Sequence, residues 1–424
     1  MLLNFRFSNY RSFRDETEFS MAAAPISEHK SSLFEVNGVN ILPLAGIYGA
    51  NASGKSSFFK AIECMKNVVL GKNIPADSNL PEPISFTMPY LFSGTEEEVF
   101  SEPSCFEVTI SIMDYAYTYG YECVDDELIS EWLYKQKISK NPTVQTVIYN
   151  IDYQDNLIEY GKIPAVQKKE IDFCFSMNTG KNLLLTDLGK RGRDREIDRV
   201  FDWFGCSMVA TAESPDSWQY ACEQILCSIM EKEIGNEWFK LREKTPKDEI
   251  LRLIREFAPA ISDIVVERLP VTSERTEYKL KTVHEVDGRE YTVPFEIESD
   301  GTRRNFALTF YLIGTLASGC ALFVDELDYR LHPLVLRKIL NMFYDKEINK
   351  MGAQLIFSAH NIINLDSSDL RRDEVWFVEK NDQCSSMYSL YDFNDEDDRV
   401  RNDLDFGKHY LSGRFGAIPF REEV

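Results

Sequence analysis

The chain is 424 residues long, carries 47 basic against 69 acidic side chains for a formal net charge of −22, and is 44% hydrophobic. That length holds two or three domains or one large core with an insertion. The negative balance argues against a surface-wide groove for nucleic acid and leaves only a local contact, or one supplied by a partner. Nine cysteines without a C-x-x-C pair read as reduced thiols of a cytoplasmic protein. The charged start "MLLNFRFSNYRSFRDE" lacks the apolar block of a secretion signal.

Residues 41–48 (ILPLAGIY) read as a short buried strand, and "SSFFKAIECMKNVV" as an amphipathic helix, with "GANASGKS" between them. In that strand, loop, helix order, the turn from Gly49 to Gly54 offers successive backbone N–H groups and the positive end of a helix to phosphate oxygens. Lys55 is then placed to reach β- and γ-phosphates, and the Ser56 hydroxyl to join a Mg²⁺ shell. Gly49, Asn51, Gly54, Lys55, Ser56 and Ser57 are the candidate nucleotide-binding residues, with ATP and Mg²⁺ the expected ligands.

Residues 104–160 alternate apolar and polar in strand fashion, which predicts an antiparallel meander with turns near Asp114 and Asp125. From 165 to 260 the spacing turns helical, as in "DREIDRVFDWF", "YACEQILCSIMEKEI" and "KDEILRLIREFAP". No heptad run is sustained, so a long coiled-coil arm is excluded in favour of a compact helical insertion. Its most basic spot, "KRGRDR" at 190–195, reads first as a solvated turn and second as a nucleic-acid or partner contact. Strands return over 264–297, with Asp287-Gly288 marking a hairpin. The expected division is 1–103, the first half of a head; 104–164, the meander; 165–260, the insertion; and 261–424, the second half.

Ser299, Asp300 and Gly301 precede an apolar run and by themselves read as an ordinary helix N-cap. Phe306 to Val324 is 19 residues without a charge, yet it breaks at "ASG" and ends on Asp-Glu-Leu-Asp, so it reads as a buried helix, a turn and a strand rather than a membrane span. The strand, Cys320 to Val324, aims Asp325 at a metal from its carboxyl end; Glu326, on the other face of the pleat, is placed to deprotonate a water. Gln354 to Phe357 predict a neighbouring strand with His360 just past its end. Only 64 residues follow His360, too few for a fused nuclease, and the carboxylates of 392–398 read as a solvated loop. Arg11 and Phe13 are positional candidates for reading the base, and the sequence does not separate ATP from GTP.

The order "NYRSF", "GANASGKSS", "ESDGT", "ALFVDELD" with "YRLHP", "FSAH", and finally "DFGKHYLSGRFGAIP" resembles the ABC-type ATPases of the SMC and RecF kind. Among these it looks most like the bacterial AAA-type ATPases grouped with RloA and AbiL-like abortive-infection proteins, with OLD and PARIS-type ATPases further off. The resemblance implies an α/β ABC-type P-loop head with an antiparallel β-subdomain and a helical insertion. It also implies a homodimer that sandwiches ATP between heads. In it, Ser299 and Gly301 match the signature that closes on the γ-phosphate in trans, Asp325 the Mg²⁺ aspartate, Glu326 the catalytic base, and His360 the switch histidine. Asp300 and Thr302 depart from that signature, and the lid glutamine has no assigned position. The function implied is ATP hydrolysis in an anti-phage system, with a separately encoded toxic effector as partner. A DNA-maintenance ATPase and an ATP-held scaffold without turnover are the alternatives.

Overall fold

The computed structural model describes residues 1–72, 88–124, 127–141, 143–178, 180, 182–211, 246–270, 276–362, 365–393 and 405–418. The chain opens with β1 (Leu2–Ser8) and β2 (Thr17–Ser20), a hairpin of β3 (Phe34–Val36) and β4 (Val39–Ile41), then β5 (Leu44–Tyr48), α1 (Lys55–Val69) and α2 (Glu96–Ser101). Five strands follow: β6 (Ser104–Ile112), β7 (Tyr115–Val124), β8 (Glu127–Lys137), β9 (Thr146–Asp152) and β10 (Leu157–Glu159). Next come α3 (Ala165–Met177), α4 (Leu184–Arg191), α5 (Arg195–Cys206), β11 (Met208–Ala210) and α6 (Pro246–Phe257). A three-stranded sheet of β12 (Ile261–Pro270), β13 (Thr276–Val286) and β14 (Arg289–Pro294) leads into α7 (Asp300–Ser318). The rest is β15 (Ala321–Val324), α8 (Pro333–Tyr344), β16 (Gln354–Ser358), β17 (Val375–Asn381), β18 (Cys384–Ser389) and α9 (Phe406–Leu411).

The central sheet runs β11-β15-β16-β5-β17-β18, parallel up to β17 and antiparallel at β18. Its inner strands β5, β15 and β16 are short and buried throughout, as a sheet covered on both faces demands. Alternation along each strand splits them between two interiors. Ala45, Ile47, Phe323 and Ile356 face α1, α3 to α5 and the antiparallel sheet, whereas Leu44, Tyr48, Leu322 and Phe357 face α7 and α8. With a phosphate-loop strand between β16 and β17, this is an α/β P-loop layout carrying an antiparallel subdomain and a helical insertion.

The meander expected over 104–160 is present, but it is not self-contained. β1 pairs antiparallel with β6, and β2 with β1, so the sheet has seven strands in the order β10-β9-β8-β7-β6-β1-β2. The expected helix, turn and strand over 306–324 is found as α7, a left-handed Gly319 (φ 72°) and β15, the helix beginning earlier at Asp300. Among the described residues no helix is long and apolar enough to cross a membrane. The expected helix "YACEQILCSIMEKEI", the turn at Asp125 and most of the acidic stretch 392–398 lie outside the described residues.

The expectation of reduced thiols fails for one pair of cysteines. Cys206, the last residue of α5, forms a disulfide with Cys320, just ahead of β15, across a sequence separation of 114. The pair is invisible as a spacing because the fold, not local sequence, brings a helix end to a strand start.

Two buried polar hubs fasten the layers. Glu131 of β8 is fully buried and accepts from the hydroxyls of Tyr119 (3.1 Å), Tyr149 (3.0 Å) and Tyr153 (2.5 Å). It also accepts from the Leu184 and Leu185 N–H groups at 2.6 and 2.9 Å, capping α4, whose own N-cap residue Leu183 has no side-chain acceptor. Elsewhere, the fully buried Arg371 binds the Asp373 carboxylate through Nε and Nη2 at 2.8 and 2.6 Å, and Asp373 accepts from Ala24 N–H at 2.7 Å. Beside it Glu374 accepts from the Tyr344 hydroxyl and Arg371 N–H on one oxygen, while its Oε1 is buried without a partner. Burial pushes the Glu374 carboxyl up to about 8.

Candidate nucleotide-binding site

β5 delivers the chain into the loop from Gly49 to Gly54, and two positions there admit nothing larger than hydrogen. Gly49 has φ 151°, and a Cβ on it would stand 2.2 Å from the Val378 carbonyl of β17. Gly54 has φ 118°, and a Cβ would stand 2.4 Å from the Ser385 hydroxyl. Lys55, Ser56 and Ser57 follow as the first turn of α1, so their N–H groups lie at the positive end of a helix.

Lys55 is 5% exposed and its ammonium donates to the Gly49 and Ala50 carbonyls at 2.8 and 2.9 Å. Burial lowers its pKa, with Asp325, Glu326 and Asp328 opposing the shift. Asp325, 2% exposed, accepts on Oδ1 from the Ser358 hydroxyl at 2.6 Å and has no donor on its second oxygen among the described residues. The same Ser358 hydroxyl accepts from Glu326 N–H at 2.7 Å.

Glu326 does not extend the pleat. It adopts φ 52°, and this left-handed turn, rather than strand alternation, sets the direction of its side chain. Its Oε1 lies 3.3 Å from His360 Nε2. His360 is held in turn by Asp328, whose carboxylate accepts from the His360 and Asn361 N–H groups at 2.9 and 2.6 Å.

These parts open onto one cleft of about 570 Å³, walled by Asn51, Gly54, Lys55, Ser56 and Ser57 on one side and by Glu326 and His360 on the other. Ser12, Ala52, Tyr329 and Lys380 complete the wall, none of them a candidate from the sequence. Ser12 reaches Ser57 hydroxyl to hydroxyl at 3.2 Å. The β17–β18 hairpin that carries Lys380 is clamped to the loop: Ser385 donates from its N–H to the Ser12 carbonyl at 2.7 Å and from its hydroxyl to the Ser53 carbonyl at 2.6 Å. Of the positional candidates, Phe13 is fully buried against Phe7 at 5.0 Å, so it cannot stack on a base, and Arg11 lies over Tyr10 at 5.9 Å.

Ser299 and Gly301 do not line this cleft. Ser299 is the N-cap of α7, its hydroxyl accepting from Thr302 N–H at 3.1 Å. Around Gly301 there is open space, with Ser299 Oγ at 3.8 Å and Arg330 Cβ at 4.0 Å from where a Cβ would stand. Asp300 is bound by Arg303 and Arg330 at 2.6 and 3.1 Å, and the hydrogen bond from Arg303 is the first cause of its lowered pKa. The same loop connects back to the cleft, because Arg304 donates to the Glu326 carbonyl at 2.7 Å and both Arg304 and Arg330 lie over the Tyr329 ring, at 4.9 and 5.1 Å.

The oxygen donors present, the Ser56 hydroxyl on the cleft wall and the second oxygen of the buried Asp325, are of the kind that suits a hard divalent cation. Among the described residues no cluster of three or more His, Cys, Asp or Glu forms a separate metal cage. A magnesium ion held here would take the rest of its shell from phosphate and water.

Residues 230–366 match the family model described as "AAA domain, putative AbiEii toxin, Type IV TA system". That span includes the Ser299 turn, the Asp325–Glu326 pair and His360, and not the phosphate loop. No curated protein matches the chain by sequence. Solved structures similar to it include the SMC head domain from Thermotoga maritima, 14% identical over 92% of this chain and 98% of that one with a TM-score of 0.40. Another is the Smc head domain with an extended coiled coil bound to the C-terminal domain of ScpA, derived from Pyrococcus furiosus, at 15% identity over 92% and 96% with a TM-score of 0.37. The Smc head domain with a coiled coil and joint derived from Pyrococcus yayanosii is 11% identical over 97% and 99%, with a TM-score of 0.39. The family match together with the phosphate-loop geometry supports a nucleotide-binding domain of the AAA type.

Proposed function

We propose that this chain binds and hydrolyses ATP as a homodimer in the cytoplasm and is the regulatory ATPase of an abortive-infection-type defence system whose toxic effector is a separate protein. The observation that carries hydrolysis is the meeting, in one cleft, of Lys55 and Ser56 at a helix start with Glu326 and His360 from the ends of two neighbouring parallel strands. Mg²⁺, held by Ser56 and Asp325, would neutralise charge on the phosphates. Lys55 supplies a fixed cation beside them, Glu326 orients a water and takes its proton, and His360 holds Glu326 in place. Phosphoryl transfer asks for this positioning and charge rather than for covalent chemistry.

Ser299, exposed, and Gly301, half-buried, lie outside the wall of the cleft and suit a contribution to the site of a second copy. The defence role is supported by the family model's reference to a toxin–antitoxin system and by the RloA- and AbiL-like motif order. Phosphate release from ATP by the isolated chain is the first test. Turnover per chain should rise with protein concentration and fall by at least about a hundredfold in Glu326→Gln, the usual scale for a general base. Turnover independent of concentration would remove the composite site, and an unimpaired Glu326→Gln would remove Glu326 as base. Equal phage plating on cells carrying the intact locus and a Lys55→Ala version would sink the defence role.

A further inference from the structure

The stretch "DFGKHYLSGRFGAI", residues 405–418, has no part in the site as described so far. Its helix α9 lies against β17, where Phe377 stacks on Tyr410 at 5.3 Å and on Phe415 at 5.8 Å. Tyr388 of β18 donates to the Phe415 carbonyl at 2.8 Å. The chain then turns through Gly413 (φ 77°) and Gly416 (φ 67°). At Gly416 a Cβ would stand 2.6 Å from the Tyr388 hydroxyl and 3.0 Å from the Glu379 carboxylate, so backbone angle and available space both demand glycine.

That turn presents Ala417, which is 4% exposed and itself left-handed at φ 53°. A non-glycine residue keeps such a conformation only where its surroundings over-determine it. Here they do: its N–H donates to Glu379 Oε2 at 3.2 Å, and its carbonyl accepts from the Tyr410 hydroxyl at 2.9 Å and from the Ala50 N–H at 3.1 Å.

Ala50 is the second residue of the phosphate loop. Its N–H and the Gly49 carbonyl belong to one planar trans peptide and point in opposite directions. The Gly49 carbonyl is one of the two acceptors that hold the Lys55 ammonium. One peptide plane is thus gripped by Ala417 on one edge and grips Lys55 with the other.

We propose that residues 405–418 are a positioning element for the phosphate loop, in which Ala417 fixes the Gly49–Ala50 peptide and through it the place of the Lys55 ammonium. The inference rests on the nucleotide site proposed above and adds to it a group that touches no ligand. The element acts on affinity for phosphate because a loop that reorients by even an ångström loses aligned donors.

The test uses the full-length chain and a fluorescent ADP analogue with Mg²⁺. Gly416→Val, which forces the turn off Tyr388 and Glu379, should weaken binding about tenfold, whereas Ala417→Gly, which takes φ 53° without strain and keeps the carbonyl, should stay within about twofold of the parent. Tyr388→Phe, which loses the hydroxyl bond to Phe415 but keeps the ring, should weaken binding about threefold and carries the test if Gly416→Val fails to fold. A merely structural role would lower the thermal midpoint without changing the affinity of the folded protein. Coupling also requires the converse: nucleotide should slow hydrogen exchange at the Ala417 amide. Parent-like affinity in folded Gly416→Val and Tyr388→Phe, with no change in Ala417 exchange, would overturn the inference alone. A parent chain that binds no ADP would overturn the nucleotide site and this inference with it.

Discussion

Replacing Glu131 by leucine tests how the helical layer is fixed to the antiparallel sheet. The side chain is fully buried, and five donors converge on its two oxygens, three tyrosine hydroxyls and two N–H groups of α4. Leucine fills much of the volume but accepts nothing. The two N–H groups cannot turn away, and losing a helix cap costs about 1 kcal/mol. The hydroxyls can rotate, yet around them Tyr119 and Tyr149 are fully buried, so each stranded donor costs about 1 to 3 kcal/mol. Against this stands the relief of a carboxylate whose burial raises its pKa and disfavours its charge. The balance is a loss of about 3 to 5 kcal/mol, the range for removing one member of a buried charged network. Tyr153→Phe, which deletes a single donor and leaves four, should cost only about 1 kcal/mol. Equilibrium urea unfolding of both variants, compared at constant slope, reads the difference directly. A Glu131→Leu cost below about 1 kcal/mol, or one equal to that of Tyr153→Phe, would refute the view of Glu131 as a shared acceptor.

Lys380 lines the cleft from the β17–β18 hairpin and is exposed, so Lys380→Ala should weaken ADP binding about three- to tenfold while Lys380→Arg largely preserves it, as titration with a fluorescent nucleotide would show. The Glu374 carboxyl titrates at about 8 when folded, against 4.5 ordinarily. The folded state therefore binds the extra proton between those values, and stability conferred at low pH is lost as pH rises from about 4.5 through 8. Glu374→Gln should flatten that slope in thermal midpoints taken from pH 5 to 8; an unchanged slope would place its origin elsewhere.

The phosphate loop and the Asp325–Glu326 pair could be read from sequence because each is a contiguous motif flanked by an apolar strand, and the residues that support them from elsewhere in the chain could not. Ser12, Ser358 and Asp328 are single polar residues whose meaning depends on strands that pair across hundreds of positions, such as β16 with β5. Lys380 looks like any charge in a hairpin. Glu131 reads as a strand residue facing solvent, because nothing local reveals that α4 will set its first turn upon it. Glu326 shows the limit of periodicity: the strand pattern leads to it, but its direction comes from a left-handed residue that no alternation rule contains. The cysteine spacing misled for the same reason, since Cys206 and Cys320 meet only once the central sheet exists.

The position of β5 between β16 and β17 has a consequence for how the protein is made. The strand that ends at Tyr48 gains its two neighbours only from residues 354–358 and 375–377. At a ribosome adding about 5 to 20 residues per second, its apolar residues wait roughly 15 to 65 s for the second neighbour to emerge. For most of that interval the nascent chain holds a complete phosphate-loop sequence with neither strand beside it. A translation product interrupted between α1 and β17 would carry the loop on a strand that still lacks a neighbour.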